Sequence, residues 1–324
     1  MAGSPVYENW QTHRSGETSG TLFEFPLYSD SDGIPEMRSH LGPYQVLRSL
    51  REVPVLQDCP ALILRITSHV WTEHGQTGSS IPDEFASLLS LLSGTRLAAG
   101  GNYTRRWGFN DDPLGQPIYT HDTLIVPKSP LLMSYSVLPQ LSKRRGLDQS
   151  LLRGFPDLSA SQSLVVTKAA RLYQTALWYA ETQQEYSWLM LVSAIETAAA
   201  FWQRHRLSPE EQLGELRPTL RDLLLSAGGK ELLEAAAAEL ADYMGATRKF
   251  VSFVTNFAPE HIAGMEQPER ALREIYAARS KALHSGVAIP RKLPLTLEGF
   301  EQVTRDSLIH WWKSLGSAEA RKAD

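Results

Sequence analysis

Apolar residues recur along this chain in two rhythms, and the rhythm changes near the middle. In the second half they return every three or four residues. Residues 184–204 carry Trp188, Leu191, Val192, Ile195, Ala199 and Trp202 on one stripe, which predicts a helix buried along one face. Residues 163–181 repeat the rhythm. Ser208-Pro209-Glu210-Glu211 joins a capping serine, a proline at the first helical position and a glutamate at the third, a pattern that satisfies amides left unpaired at a helix start. Further helices are predicted at 230–243, 247–257, 268–284 and 296–315, separated by Gly228-Gly229, Gly245, Pro259 and Ser285-Gly286.

The first half mixes periods. Residues 20–28 and 61–67 are short, rich in β-favouring residues and bounded by Gly, Pro, Ser or Asp, as strands are. Residues 81–93 place Phe85, Leu88, Leu89 and Leu92 at helical spacing, with Pro82 early and Gly94 as a stop. A glycine-bearing, arginine-rich run at 96–109 leads into the turn Asp112-Pro113-Leu114-Gly115. Residues 154–163 read as a linker. The pattern predicts an α+β protein: a mixed α/β recognition or regulatory domain over 1–158, then an all-α helical bundle over 159–324.

The length of 324 residues and a hydrophobic content of 42% suit two packed units. Cys59 is the only cysteine, so no internal disulfide or cysteine-rich zinc cluster can form, and a reducing compartment fits. The first twenty residues are polar and hold no signal-like apolar run, nor does any later stretch stay apolar long enough to span a bilayer. A cytoplasmic protein without membrane association is expected. The net charge of −4 argues against non-specific coating of DNA. Local cationic groups at Arg105, Arg106, Lys143, Arg144, Arg145, Arg204, Arg206, Arg248 and Lys249 could still line a groove, or be ordinary solvated surface.

One segment concentrates candidate chemistry. In 275–286, Ile-Tyr-Ala-Ala-Arg-Ser-Lys-Ala-Leu-His-Ser-Gly, Arg279 and His284 stand five positions apart at a predicted helix end. With 23 arginines and 9 histidines, about 0.6 pairs at that spacing arise by chance, and Arg305 with His310 is a second instance. The second pair falls inside an amphipathic helix beside Trp311 and Trp312, a setting for a packing or surface histidine. Glu196 lies among apolar residues of an earlier helix, where a carboxylate is costly to bury alone, so it is expected either to pair with Arg279 or to face solvent.

The segment resembles the Arg-x4-His motif of the HEPN superfamily, in the version of its Apea-like branch, and the likeness covers roughly residues 161–316. The helix ending Leu-Met-Leu-Val-Ser-Ala-Ile-Glu-Thr-Ala-Ala-Ala-Phe-Trp is similar to the family's earlier core helix, with Glu196 at its acidic position, and 247–257 to a stretch preceding the motif helix. At low specificity, 85–101 is similar to sensor-like regions preceding such domains. The resemblance implies a HEPN-type endoribonuclease in stress or antiviral defence, with Arg279 and His284 catalytic, Ser280, Lys281, Glu196 and Tyr276 supporting, RNA as substrate and a homodimer as the working form. An activating partner or ligand would act at the N-terminal domain. No cofactor or metal is expected.

Elementary chemistry agrees with RNA as the substrate. Its 2′-hydroxyl can attack the adjacent phosphate once a histidine removes the proton, while arginine's planar fork binds the non-bridging oxygens. Two other readings stay open: a catalytically silent HEPN module that dimerises or binds RNA, and an unrelated helical enzyme with a deep pocket in its N-terminal half. The chain has no GxxxxGK[ST], HExxH or GxSxG. Asp111-Asp112 reads as a turn, Gly100-Gly101-Asn102-Tyr103 is too short for a nucleotide loop, and His69 and His74 lack identifiable co-ligands.

Overall fold

Two local signals at the start of the chain set the first element of the computed structural model. Ser4 accepts a hydrogen bond from the Tyr7 amide and Pro5 opens the first turn, giving helix α1 (Pro5–Arg14). The polar stretch at the start of the chain therefore holds a helix, with Val6, Asn9 and Trp10 buried. The structure describes residues 2–17, 20–29, 39–48, 62–68, 80–100, 105–106, 149–203, 208–240, 245–286, 288–289 and 292–320. Lys143, Arg144, Arg145, Arg204, Arg206, His69, His74, Cys59 and the 111–115 turn lie outside them.

Strands β1 (Thr21–Tyr28), β2 (Ser39–Leu41), β3 (Tyr44–Arg48), β4 (Leu62–Ser68), β5 (Ala98–Ala99) and β6 (Arg105–Arg106) form one sheet. Its order is β2-β3-β4-β1-β5, with β6 also on β1, and each pairing is antiparallel. In that register Ile66 faces both Phe23 and Tyr44. Phe23, Phe25, Leu27, Leu62, Leu64 and Ile66 are all buried, so the central strands pack an apolar face. Across β1 and β4, Arg65 and Glu24 form a buried ion pair at 2.7 Å.

Helix α2 (Ile81–Ser93) starts at a Ser80/Asp83 capping box and stops at Gly94, φ 68°. It packs under the sheet, with Phe85 against Tyr44 at a ring separation of 4.6 Å, and against the helix Ala160–Tyr179 behind it. Its one inward charge, Glu84, accepts the Val6 amide at 3.1 Å, which fastens α1 to α2.

After α3 (Gln149–Gly154) and a short 3-10 turn (Phe155–Asp157), α4 (Ala160–Tyr179) begins at a Ser159/Gln162 capping box. The linker expected at 154–163 is thus packed structure: Phe155 and Leu158 are buried, and Ser159 is the helix cap. The Gly, Pro and Ser residues that suggested flexibility serve here as punctuation.

The chain continues through α5 (Gln184–Gln203), α6 (Pro209–Leu216), α7 (Pro218–Leu240, kinked at Gly229 with φ 69°), α8 (Ala246–Phe257), the single turn α9 (Pro259–Ile262), α10 (Pro268–Ser285) and α11 (Leu297–Ala320). The protein is therefore α+β, a small antiparallel sheet with a larger set of helices. Helices α4, α5, α8 and α11 make its helical core, where Trp188 stacks on Phe300 at 4.8 Å and Phe253 meets both Trp202 and Trp311 edge-on. One contiguous set of buried side chains runs from Val6 through the sheet and α2 into these helices. The α6–α7 hairpin stands apart, on a small cluster of Leu213, Leu233 and Ala237. Among the described residues, no helix is long and apolar enough to cross a membrane.

Candidate functional site

Helix α10 presents Arg279 inward and His284 outward because residues five apart sit about 140° apart around a helix. Leu272, Ile275, Tyr276 and Ala278 bury one face. On that face Arg279 reaches α5, where its Nη2 meets Glu196 Oε2 at 2.6 Å and donates to Ser193 Oγ at 3.4 Å. Tyr276 donates to the other carboxylate oxygen, Glu196 Oε1, at 2.6 Å. Glu196 is thus shared by two residues of α10 that lie one turn apart, and it pairs with Arg279 instead of facing open solvent.

The ring of Tyr276 completes this corner. Its centroid is 6.0 Å from the Arg279 guanidinium carbon, and its other side packs on Phe250 at 5.4 Å. Burial, then the hydrogen bond to the Glu196 carboxylate, raises the Tyr276 phenol above its ordinary pKa. Its proton therefore stays in place across neutral pH. Among the described residues, Arg279 is held through Nη2 alone, and the buried Nε has no partner. With its side chain 17% exposed and its Nε buried, the guanidinium can meet an oxyanion only through its Nη donors.

His284 lies in the last turn of α10, exposed and without a hydrogen-bonding partner among the described residues. Gly286 ends the helix in the left-handed conformation, φ 62°. A basic side chain there suits the negative end of the helix. Lys281, one turn earlier, is exposed too, while Ser280 is half-buried. The predicted residues therefore divide. Arg279, Glu196 and Tyr276 form one bonded corner, and Lys281 with His284 forms an open surface at the helix end. Ser193 is the corner's unforeseen member; its place one turn before Glu196 on the same helix face was the available signal.

The second Arg/His pair spends its main hydrogen bonds on backbone carbonyls, and His310 also lies 3.8 Å from the Glu260 carboxylate. Arg305 donates from Nε to the Leu91 carbonyl at 3.0 Å and from Nη2 to the Leu92 carbonyl, both at the end of α2, and from Nη1 to Asp306 at 3.2 Å. His310 Nδ1 lies 2.7 Å from the Phe257 carbonyl, the last residue of α8. Each caps carbonyls that a helix end leaves without amides. Beside them runs an open groove of about 520 Å³, lined by Glu260, His261, Asp306, His310 and Lys313, where His261 Nε2 meets Asp306 at 2.7 Å. Among the described residues, no group of three or more His, Cys, Asp or Glu is placed to hold a metal ion.

No family model, no curated protein and no solved structure matches this chain.

Proposed function

We propose that the protein is a HEPN-type endoribonuclease that cuts RNA by attack of the 2′-hydroxyl and needs no metal ion, with a role in stress or antiviral defence. The observation that carries the reading is the contrast on α10: Arg279 is anchored by Glu196 and Ser193, yet His284 stands exposed and unpartnered, among the described residues, at the helix end. A histidine meant for packing would be enclosed or bonded, as His310 is. An arginine fixed by a carboxylate has lost the side-chain freedom that would otherwise oppose binding of a phosphate. Lys281 adds positive charge on the His284 side of the helix.

In this reading His284 moves the proton, first from the 2′-hydroxyl as base or later to the departing 5′-oxygen as acid. Arg279 meets the charge that grows on the phosphate. Glu196 and Tyr276 hold Arg279 in position. Because each chain supplies one such histidine, two chains meeting about a two-fold axis supply both the base and the acid. The products are a 2′,3′-cyclic phosphate and a 5′-hydroxyl.

Purified protein should cleave RNA in the presence of EDTA. It should fail on the same RNA carrying hydrogen in place of the 2′-hydroxyl at the cut site. Cutting of the deoxy-substituted strand would replace the 2′-hydroxyl with another nucleophile and end this reading. A second reading, a catalytically silent HEPN module that dimerises or binds RNA, is favoured by one observation: Glu196 already matches the charge of Arg279 at 2.6 Å. It predicts RNA binding without cleavage under every condition of that assay.

A further inference from the structure

Among the described residues, the exposed large apolar side chains fall into two groups. Leu223, Leu232 and Leu240 belong to α7; Tyr179, Tyr186 and Leu283 sit on α4, α5 and α10. The second group contains an aromatic pair. Tyr179, 39% exposed, ends α4, and Tyr186, 53% exposed, lies in the first turn of α5; their ring centroids are 5.8 Å apart at an interplanar angle of 36°. Tyrosine rings left this open contribute little to the core, so packing alone does not account for the pair.

Helix register puts the pair at the same end of the molecule as His284. Arg279 and Tyr276 both reach Glu196, while Arg279 also reaches back to Ser193, so residue numbers rise on α10 as they fall on α5. The two helices are antiparallel at this contact. At about 1.5 Å per residue, His284 lies about 7.5 Å beyond Arg279, and Tyr186 about 10.5 Å beyond Ser193 in the same direction, so both stand toward the same end of this contact. Tyr186 and Ser193 are seven residues apart, so they share the face of α5 that looks toward α10.

We propose that Tyr179 and Tyr186 form a stacking platform for an unpaired nucleobase of RNA, placed beside His284 so that the strand's backbone passes Lys281 and His284. This rests on the ribonuclease reading and names its substrate class: single-stranded RNA or loops, whose bases are free to leave a stack. Every base has a π-face, so the platform selects for strandedness and not for sequence. The phosphate next to the stacked base is brought to the cationic end of α10, while a duplex, with its bases already stacked, gains nothing from the tyrosines.

Binding separates this proposal from cleavage. A short fluorescein-labelled oligouridine, 2′-O-methylated throughout so that it cannot be cut, is titrated by anisotropy against the wild type, Tyr179→Ala/Tyr186→Ala, and Tyr179→Phe/Tyr186→Phe. The alanine variant should bind about tenfold more weakly, the phenylalanine variant within about twofold of wild type, and a blunt RNA duplex equally to all three. Melting curves confirm that these exposed substitutions leave the fold in place. Wild-type protein that does not bind the oligouridine, or an alanine variant that binds it as well as wild type does, overturns the platform. So does an alanine variant that changes only self-association in sedimentation, since the tyrosines would then be an interface between copies. If the alanine variant loses the oligouridine while no unmodified RNA is ever cleaved, the platform stands and the nuclease reading alone falls.

Discussion

Two Arg/His pairs with the same five-residue spacing sit in this chain, on α10 and on α11; each arginine meets a carboxylate, and the rest of their surroundings differ. Arg305 joins α11 to the carbonyls that end α2 and also meets Asp306, while His310 binds the carbonyl that ends α8, with Glu260 3.8 Å away. Arg279 is held by side chains, Glu196 and Ser193, and His284 by nothing among the described residues. Backbone carbonyls at a helix end need donors whatever the protein does, so a side chain that serves them is accounted for by the fold. A bonded arginine beside an idle, exposed histidine is not. Spacing in the sequence defines a candidate, and the identity of the bonded partners separates the candidates.

The largest expected effect comes from removing one histidine from each pair. His284→Ala should lower RNA cleavage by at least about a hundredfold, the usual contribution of a positioned acid or base, and leave the melting temperature near wild type because the side chain is exposed. Arg279→Ala should abolish cleavage too, with some loss of stability as Glu196 loses its cation. His310→Ala should cut RNA at the wild-type rate. An active His284→Ala protein sinks the assignment of the first pair, and an inactive but folded His310→Ala protein transfers it to the second.

Next in size is the effect of placing one defective copy beside one intact copy. Two chains joined in tandem, with His284→Ala in only one, should be nearly as inactive as a tandem carrying both substitutions if base and acid come from different chains. Retention of half the rate would show that each chain works alone, and the single histidine of α10 would then need a second proton-transfer group from its own chain.

Much of this comparison is legible in the amino-acid pattern itself. The helical stripes mark α5, α8 and α10 nearly to their ends, because a buried face repeats every three to four residues and the breaks fall at Gly245, Gly286 or a proline, whereas α11 runs on through Gly316 to Ala320, past the predicted 315, and α7 crosses the break predicted at Gly228-Gly229. Glu196 stands out as a lone carboxylate among apolar residues, and its pairing with Arg279 is present. Helix α1 is not legible, since its buried face is a mixture of Val6, Asn9 and Trp10, and Asn9 donates to the Tyr44 hydroxyl and the Thr67 carbonyl, at 3.1 Å each. Those partners are distant in sequence. The structural duty of Arg305 is hidden for the same reason: its acceptors on α2 lie more than two hundred residues away. Local periodicity writes the helices, whereas polar contacts across the fold leave no local trace.

A smaller effect concerns stability alone. Arg305→Ala removes hydrogen bonds to two carbonyls at the end of α2 and to Asp306, from a side chain only 12% exposed. It should cost about 2–4 kcal/mol, seen as a fall in denaturant midpoint at unchanged slope. The loss should exceed that of His284→Ala, reversing the order of their effects on cleavage. Equal losses from the two would dissolve the contrast between an arginine bonded to the fold and an exposed, unbonded histidine.

The smallest expected effect uses one glycine from each helix. Gly286, which ends α10 two residues after His284, has φ 62°, and a Cβ added there would meet nothing within 4 Å. Gly286→Ala therefore suffers only from backbone conformation, about 1 kcal/mol, because a side chain disfavours the left-handed region. Asparagine tolerates that region better, so Gly286→Asn should recover part of the loss. Gly299, near the start of α11, has no positive φ, and its added Cβ would sit 3.4 Å from Thr296 Oγ1, an ordinary contact. Gly299→Ala should thus stabilise by about 0.5 kcal/mol, by restricting the unfolded chain and favouring the helix. Chemical denaturation of the three variants reads the signs directly. A stabilising Gly286→Ala would mean that the chain leaves α10 without the left-handed turn, and that the exposed position of His284 at a finished helix end has to be drawn again.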